Sequence, residues 1–330
     1  MKTYTVAILG ATGAVGQEML RVLEERNFPV GRLIPLAGAA GQSVTFRGQH
    51  IPVEAVCEES FAGVDFVLGA ADNPVAQRWA PVILQAGAVF VDNSSAFRLD
   101  ADVPLVVAEV NGDDVRSHKG IIANPNCTTI ITLTAVNALD RISPIESMVI
   151  SSYQAASGAG AQGPVELQAQ LSALQRGEPV TPEVFAYQLA YNLIPQIGPH
   201  QAHGYTAEEM KLHYEGRKIL HRPRFAATST CVRVPVLRCH SISARVTFGR
   251  PVALQQAREA IAAAAGCKLV DDLETLAYPM PLDATGQDLV YVGRLRQDLT
   301  DPNSLNLWCC GDQLRKGAAT NAVQILEMLL

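Results

Sequence analysis

The sequence predicts an α/β fold organised on a doubly wound, mostly parallel sheet, and three observations predict it. A short apolar run, Thr5-Val6-Ala7-Ile8-Leu9, passes directly into Gly10-Ala11-Thr12-Gly13-Ala14-Val15-Gly16. Val15, Met19, Val22 and Leu23 then recur at helical spacing, so the opening reads as strand, glycine turn, helix. Further short apolar runs at 64–68, 88–91, 105–107 and 120–123 follow at intervals that suit strands alternating with helices.

At 330 residues the chain is long enough for two domains. With 48% hydrophobic and 18% charged residues it is globular rather than disordered. A net charge of -6 with no lysine/arginine block argues against nucleic acid and anionic membrane as partners. No apolar run approaches the ~20 residues of a membrane helix. Met1-Lys2-Thr3-Tyr4-Thr5 lacks the features of a signal peptide, so a cytoplasmic location is expected. The seven cysteines include no C-x-x-C pair and suit neither a disulfide framework nor zinc; reduced thiols and no metal are expected.

The glycine turn is spaced G-x-x-G-x-x-G, one residue off the commonest dinucleotide form. Its physics is the same: glycines let backbone approach a pyrophosphate seated on a helix N-terminus, and the alternative is a tight turn with no ligand. Two polar loops follow later strands, Ala70-Ala71-Asp72-Asn73-Pro74 and Asp92-Asn93-Ser94-Ser95-Ala96-Phe97-Arg98. Arg98 is either a solvated charge or, at a strand end where such sheets bind ligands, a bidentate anion clamp.

The chain is organised around Asn124-Pro125-Asn126-Cys127-Thr128-Thr129, where a strand-like run enters and a helix-like run, 128–139, leaves. A thiol in the first turn of a helix faces unpaired N–H groups and the positive end of the dipole, which favours thiolate. A buried cysteine filling a gap is the bland alternative. The amide of Asn126, the two hydroxyls and the strand–turn–helix context make Cys127 the candidate nucleophile.

Residues 148–153 read as a strand that leads into Gln154-Ala155-Ala156-Ser157-Gly158-Ala159-Gly160, where small residues allow close backbone approach to a planar ligand or form an ordinary connector. Leu167, Leu171 and Leu174 mark a helix, and 177–204 an irregular excursion rich in proline and aromatic residues. Thr206-Ala207-Glu208-Glu209 is a capping box, and Glu208 and Lys211 share a helical face, either as a surface pair or as a charged pair greeting a ligand. Residues 230–236 read as a strand carrying Arg233, a charge that needs a partner if buried. His240 is a base for Cys127 only if the fold pairs them. Ile242, Ala244, Val246 and Phe248 alternate as a half-buried strand; 257–266 is an alanine-rich helix. Gly317-Ala318-Ala319 opens a last helix expected to return to the first domain.

These motifs, together with Thr230-Cys231-Val232-Arg233-Val234-Pro235, Gly311-Asp312-Gln313 and Lys316-Gly317-Ala318-Ala319, occur in the order of one family. Over its full length the chain resembles the aspartate-semialdehyde dehydrogenases, most of all their shorter bacterial branch. The resemblance implies an N-terminal Rossmann-type dinucleotide-binding domain, formed by 1–128 and 312–330, and an α+β substrate and dimerisation domain, 129–311. It implies NADPH-dependent reductive dephosphorylation of β-aspartyl phosphate to aspartate semialdehyde in lysine, threonine, methionine and diaminopimelate biosynthesis, by a homodimer or a dimer of dimers. By position, it makes Cys127 the acyl-thioester nucleophile, His240 the acid/base and Gln154 the residue orienting substrate. Arg98, Lys211 and Asn126 would hold phosphate, Arg233 the α-carboxylate and Glu208 the α-ammonium. Gly10, Thr12, Gly13, Ala14, Val15, Ser157, Gly158 and Gln313 would contact the cofactor.

One departure bears on the cofactor. The serine and arginine that commonly hold the 2′-phosphate of NADP align with Leu36 and Gly38, and no Asp or Glu stands there to hold the ribose of NAD. Backbone N–H groups around Ala39 and Ala40, with Arg47, are the expected substitutes, so NADP is expected with NAD as a possible alternative. Ala108, where proline is usual, and Gly216 are lesser departures. Rival readings are an N-acetyl-γ-glutamyl-phosphate reductase, whose substrate has no ammonium for Glu208, a non-catalytic paralogue with a binding role, and a thiol redox sensor.

Overall fold

The computed structural model describes residues 2–330, and they divide into two compact units: 2–127 with 317–330, and 128–316. The first begins with β1 (Tyr4–Leu9), α1 (Ala14–Glu25) and β2 (Val30–Ala37). A small hairpin, β3 (Ser43–Phe46) and β4 (Gln49–Pro52), precedes the two-residue β5 (Glu54–Ala55). Then come β6 (Phe66–Gly69), α2 (Asn73–Gln85), β7 (Val89–Asp92), the short α3 (Ala108–Asn111) and β8 (Ile121–Ala123).

The main sheet runs β5-β2-β1-β6-β7-β8 and is parallel at every pairing. Its order reverses at β1, so the crevice beyond the carboxyl ends of β1 and β6 is the switch point where such sheets take ligands. Because side chains alternate along a strand, Val6 and Ile8 enter one core with Met19 and Leu23, while Ala7 and Leu9 enter the other with Trp79 and Ile83. Helices thus cover both faces, which is why the strands read as continuous apolar runs.

The expected strand at 105–107 is not one. It makes a single bridge, Leu105 to Ala123. Asn111 competes for its backbone: Oδ1 accepts from Val107 N and Nδ2 donates to Leu105 O, both at 2.9 Å, and α3 begins at Ala108.

The second unit takes its long helix from α4 (Cys127–Asp140), then β9 (Ile145–Gln154), α5 (Gln162–Gln175), α6 (Ala207–Ile219), β10 (Ala226–Arg233) and β11 (His240–Phe248). It closes with α7 (Leu254–Ala262), β12 (Cys267–Leu269), α8 (Pro281–Ala284), β13 (Val290–Gln297) and β14 (Ser304–Gly311). Its sheet is mixed, in the order β10-β9-β11-β14-β13-β12, parallel at β10/β9 and β12/β13 and antiparallel elsewhere. α4 is buried over most of its surface, which its apolar run requires, and it sits against β14 where Gly311 leaves room for the Ile131 side chain. The alanine-rich run at 257–266 is helical only as part of α7, which starts and stops earlier; Cys267 N bonds Ala264 O as the chain turns into β12. β10 likewise ends at Arg233, two residues before Pro235, which cannot donate to a ladder.

The chain then returns to the first unit as α9 (Thr320–Glu327), entered through a π turn, Arg315–Ala319. Ala322, Ile325 and Leu326 are buried in the core that also holds Met19 and Leu23 of α1, and Leu329 packs against it. Arg26 donates to both carboxylate oxygens of Glu327, at 2.8 and 2.6 Å.

The glycine turn is sterically determined. Gly10 has φ +91°, and a Cβ there would lie 2.7 Å from Ala70 O; a Cβ on Gly16 would lie 2.3 Å from Gly10 O. Both obstacles are backbone, so Gly16→Ala is expected to cost about 1–3 kcal/mol, the range for overpacking a tight site. A urea midpoint unchanged from the parent chain would contradict this.

Candidate active site

In the first unit the turn after β1 leaves Thr12 and Gly13 exposed at the start of α1, and no side chain caps that helix. Its first N–H groups, with Ala14 and Val15 half-buried beside them, form the cradle that glycines keep clear of Cβ atoms, and this fits a pyrophosphate. At the first polar loop Asp72 caps α2, accepting from Val75 N at 3.2 Å, and Asn73 bonds Ser95 of the second.

The turn that carries the cysteine is braced from three sides. Arg98, buried, donates from Nε to Asn124 O at 3.0 Å and from Nη2 to Asn93 O at 2.7 Å. Asn124 donates to Asn93 Oδ1 at 2.7 Å and Ala318 O at 3.2 Å, and its own Oδ1 accepts from Asn321 Nδ2 at 2.7 Å. Asn321 also donates to Val106 O and accepts from Ala108 N. Cys127 opens α4, half-buried, with Asn126 Nδ2 3.9 Å from its Sγ. Asp92 lies beneath the loop; burial raises its carboxyl pKa, opposed by hydrogen bonds from Ser94 and the charge of Arg98.

In the second unit the topology lines up the remaining candidates. β9 and β10 run parallel and end together, Gln154 opposite Arg233. β11 is antiparallel to β9, so its first residue, His240, emerges at that same edge, opposite Gly311 at the end of β14. Four neighbouring strands therefore deliver Arg233, Gln154, His240 and the Asp312-Gln313 corner along one line, at the ~4.8 Å spacing of a sheet.

Each of these side chains is held. Gln154 Nε2 lies 3.1 Å from Thr128 Oγ1, 3.2 Å from Ser152 Oγ and 3.1 Å from Glu208 Oε1. A carboxylate only accepts, so the amide presents its nitrogen to Glu208. Lys211 donates to the other oxygen of Glu208 at 2.7 Å, and the pair is largely shielded on the carboxylate side, beyond a mere surface contact. Glu209, the other acid at this helix start, completes the capping box with Thr206 and accepts from Cys231 N at 3.1 Å. Arg233 Nη1 donates to Ala155 O at 2.6 Å. Ala155 N donates to His240 Nδ1 at 3.1 Å, leaving His240 Nε2 buried with no hydrogen-bond partner. Burial, then the charge of Arg233, lowers the His240 pKa to about 3, against the opposing pull of Glu208. Gly158 packs over this pair: a Cβ there would meet Arg233 Nη1 at 2.5 Å and His240 Cε1 at 3.0 Å. Gln313 ties the corner together, accepting from Cys239 N at 2.9 Å and donating to Ser157 Oγ.

Sequence reasoning missed Asn321, Ser152 and the Ala155 peptide. Asn124 and Asn321 stand 197 positions apart, and nothing in the sequence signals their hydrogen bond. It also misplaced Arg47, whose guanidinium donates to Phe28 O and Val30 O, at the opposite end of β2 from Gly38. Leu36 is wholly buried within β2, and residues 38–41 are exposed with no cationic side chain among them.

Residues 5–118 match the family profile described as "Semialdehyde dehydrogenase, NAD binding domain", and 137–316 that described as "Semialdehyde dehydrogenase, dimerisation domain". An aspartate-semialdehyde dehydrogenase of Synechocystis is 50% identical over 98% of this chain and 97% of its own length. The chain belongs to the aspartate-semialdehyde dehydrogenase family. A relative of that name from Prochlorococcus marinus is 48% identical over all of this chain and 96% of its own. Among solved structures, aspartate semialdehyde dehydrogenase II of Vibrio cholerae, complexed with ASA, superimposes with a TM-score of 0.97 at 41% identity, covering 100% of this chain and 98% of that one. The parallel sheet is thus an NAD(P)-binding domain and the mixed sheet a dimerisation domain. Among the described residues, no helix is long and apolar enough to cross a membrane.

Asn321→Ala removes the partner of Asn124 Oδ1, Val106 O and Ala108 N together. With about 1–3 kcal/mol for each buried group left unpaired, a loss of roughly 2–4 kcal/mol is expected after partial relaxation, along with a changed iodoacetamide alkylation rate at Cys127. Unaltered stability would show that the network is dispensable.

Proposed function

We propose that the chain converts β-aspartyl phosphate to aspartate semialdehyde with release of phosphate, through an acyl-thioester on Cys127, as an NADP-dependent phosphorylating aldehyde dehydrogenase. The observation that carries this reading is the charge pattern at the edge of the mixed sheet. Arg233, Glu208 and Lys211 surround Gln154 with two cations and an anion, the complement of an α-carboxylate, an α-ammonium and a phosphate. An N-acetylated substrate would bring no ammonium to Glu208, leaving it Lys211 alone as a cation.

Cys127 would attack the acyl phosphate, an electrophile well matched to a thiol at a helix start. Asn126, Arg98 and Lys211 would stabilise the phosphate charge. One Arg98 donor already holds Asn124 O in the Cys127 turn and another holds Asn93 O, which would make this residue a brace as well as a ligand. Gln154 would orient the acyl group, its amide direction set by Glu208, and His240 would serve the oxygen of the tetrahedral adduct. The residues of the glycine turn, Gly10 and 12–15, with Ser157, Gly158 and Gln313, would hold the dinucleotide, which when bound supplies hydride to the acyl carbon. The dimerisation domain fits a homodimer, which itself could pair further, in the cytoplasm.

Burial explains why the thiols of the second unit are poor rivals for Cys127 as the nucleophile. Cys231, Cys239, Cys267, Cys309 and Cys310 are buried, and burial pushes the thiols of Cys239 and Cys309 up and that of Cys310 up to about 11. Cys127→Ser should therefore fold and lose essentially all turnover in a spectrophotometric assay with aspartate semialdehyde and phosphate. Retention of a tenth of the activity would exclude covalent catalysis at this residue. In the same assay Lys211→Ala should raise the phosphate KM far more than the aldehyde KM.

The end of β2 offers a 2′-phosphate only backbone N–H groups around Ala39 and Ala40. The missing arginine contact is worth about 1.5–3 kcal/mol, or roughly ten- to a hundredfold in affinity. NADP is expected to be preferred over NAD only weakly; a kcat/KM ratio above about a thousandfold would overturn that.

A further inference from the structure

The excursion between α5 and α6, residues 177–204, has no part in the function as described, yet α5 holds it at defined points. Glu166 accepts from the backbone N–H groups of Glu183 at 2.9 Å, of Val184, and of Phe185 at 3.4 Å. One turn on, Gln170 donates to Glu166 at 2.8 Å and accepts from Leu189 N and Ala190 N at 2.8 and 2.9 Å. Two side chains on one helix face thus satisfy five N–H groups of a segment that is neither helix nor strand. The stretch held in this way turns Phe185, Leu189, Ala190 and Ile194 into a small core with Leu167 and Ala156, and leaves Tyr187 and Tyr191 exposed.

That core ends against Arg233. Ile194 and Arg233 exchange both backbone hydrogen bonds, Ile194 N to Arg233 O at 3.0 Å and Arg233 N to Ile194 O at 2.8 Å. The Phe185 ring centroid lies 6.0 Å from Arg233 Cζ, at the outer reach of attraction between a guanidinium and a ring face. Nη1 donates to Ala155 O at 2.6 Å, and a Cβ on Gly158 would lie 2.5 Å from the same nitrogen. A long arginine side chain on an open surface samples many rotamers, and binding a carboxylate with it costs that freedom. Here backbone and an aromatic ring impose the order before any ligand arrives.

We propose that Phe185 is a positioning residue for Arg233, and that residues 177–204 form a clasp, anchored on Glu166 and Gln170, that presents the guanidinium to the α-carboxylate of the substrate. The inference deepens the function proposed above and rests on it. Phe185 acts through Arg233 and in two ways. Its ring keeps water from the guanidinium, so a carboxylate meets a less solvated partner. Its electron-rich face also attracts the cation without using up any N–H donor. A carboxylate in its place would pair with Arg233 and occupy those donors, and an aliphatic side chain would fill the space without attracting the charge. Lys211, the proposed phosphate ligand, is set instead by Glu208 on its own helix. The clasp therefore acts on the amino-acid substrate and leaves phosphate binding alone.

Steady-state kinetics of the full chain, in the direction that consumes aspartate semialdehyde and phosphate, test this. Phe185→Leu should raise the KM for aspartate semialdehyde at least about threefold and up to about thirtyfold, the range of a lost cation–ring contact. Its kcat and phosphate KM should stay within about twofold of the parent. Phe185→Tyr restores the ring face and should bring the aldehyde KM back to within about twofold. A merely structural role has another signature, a lower kcat or melting temperature with the aldehyde KM unmoved, and that result overturns the inference. So does an equal rise in both KM values. Should Phe185→Leu fail to fold, as judged by circular dichroism, Glu166→Gln decides. It keeps the ring but leaves a single carbonyl acceptor for three N–H groups of the clasp, and the aldehyde KM should again rise alone. An unmoved aldehyde KM in folded Glu166→Gln overturns the inference. A parent chain that does not turn over aspartate semialdehyde would instead refute the proposed function.

Discussion

The buried hydrogen bond from Asn321 to Asn124 joins the end of the chain to the turn in front of Cys127. Around it, Asn93, Val106, Ala108 and Ala318 contribute acceptors and donors, so that three backbone groups and the Asn93 side chain are satisfied by two asparagine side chains. In a dry interior such a network is worth most when complete, because each orphaned group carries its full desolvation cost. This explains why the last helix is part of the first unit at all. Its apolar stripe supplies burial beside α1, and its first turn supplies the amide that fixes the turn in front of Cys127.

A second constraint is the handedness of strand pairing in the mixed sheet. Parallel β9 and β10 end at the edge where antiparallel β11 begins and β14 ends. Had β11 run the other way, His240 would lie at the opposite rim, a strand length of some 30 Å from Gln154 at ~3.3 Å per residue. The catalytic candidates of this unit thus need no long loop to bring them together. They occupy rigid strand ends, and the Ala155 peptide then links two of them with its two faces, carbonyl to Arg233 and N–H to His240.

The cofactor turn and the end of β2 differ in how much the backbone does. At the glycine turn, backbone alone builds the cradle, and the residues that matter are those without side chains. At the end of β2 the exposed 38–41 segment again offers backbone and small residues, where a charged side chain would give discrimination. These two segments offer a dinucleotide shape and a helix dipole more than side-chain charge.

By itself the sequence determined the strand–glycine–helix opening, the capping box at Thr206, the alternation in β11 and the helix that starts at the cysteine. These follow from local sterics, hydrogen bonding within four residues, and the periods 2 and 3.6 of apolar residues. Family motifs extended that to the candidate residues. What tertiary structure alone decided is of another kind. Residues 105–107, apolar enough for a strand, lost Leu105 O and Val107 N to Asn111, a competition no periodicity reveals. Arg47, a free cation on paper, was drawn to carbonyls at the wrong end of β2 because Phe28 and Val30 present them there. The tautomer of His240 likewise depends on one backbone N–H 85 positions away. A hydrogen bond between distant residues leaves no mark on the spacing of either, so only the folded chain could assign it.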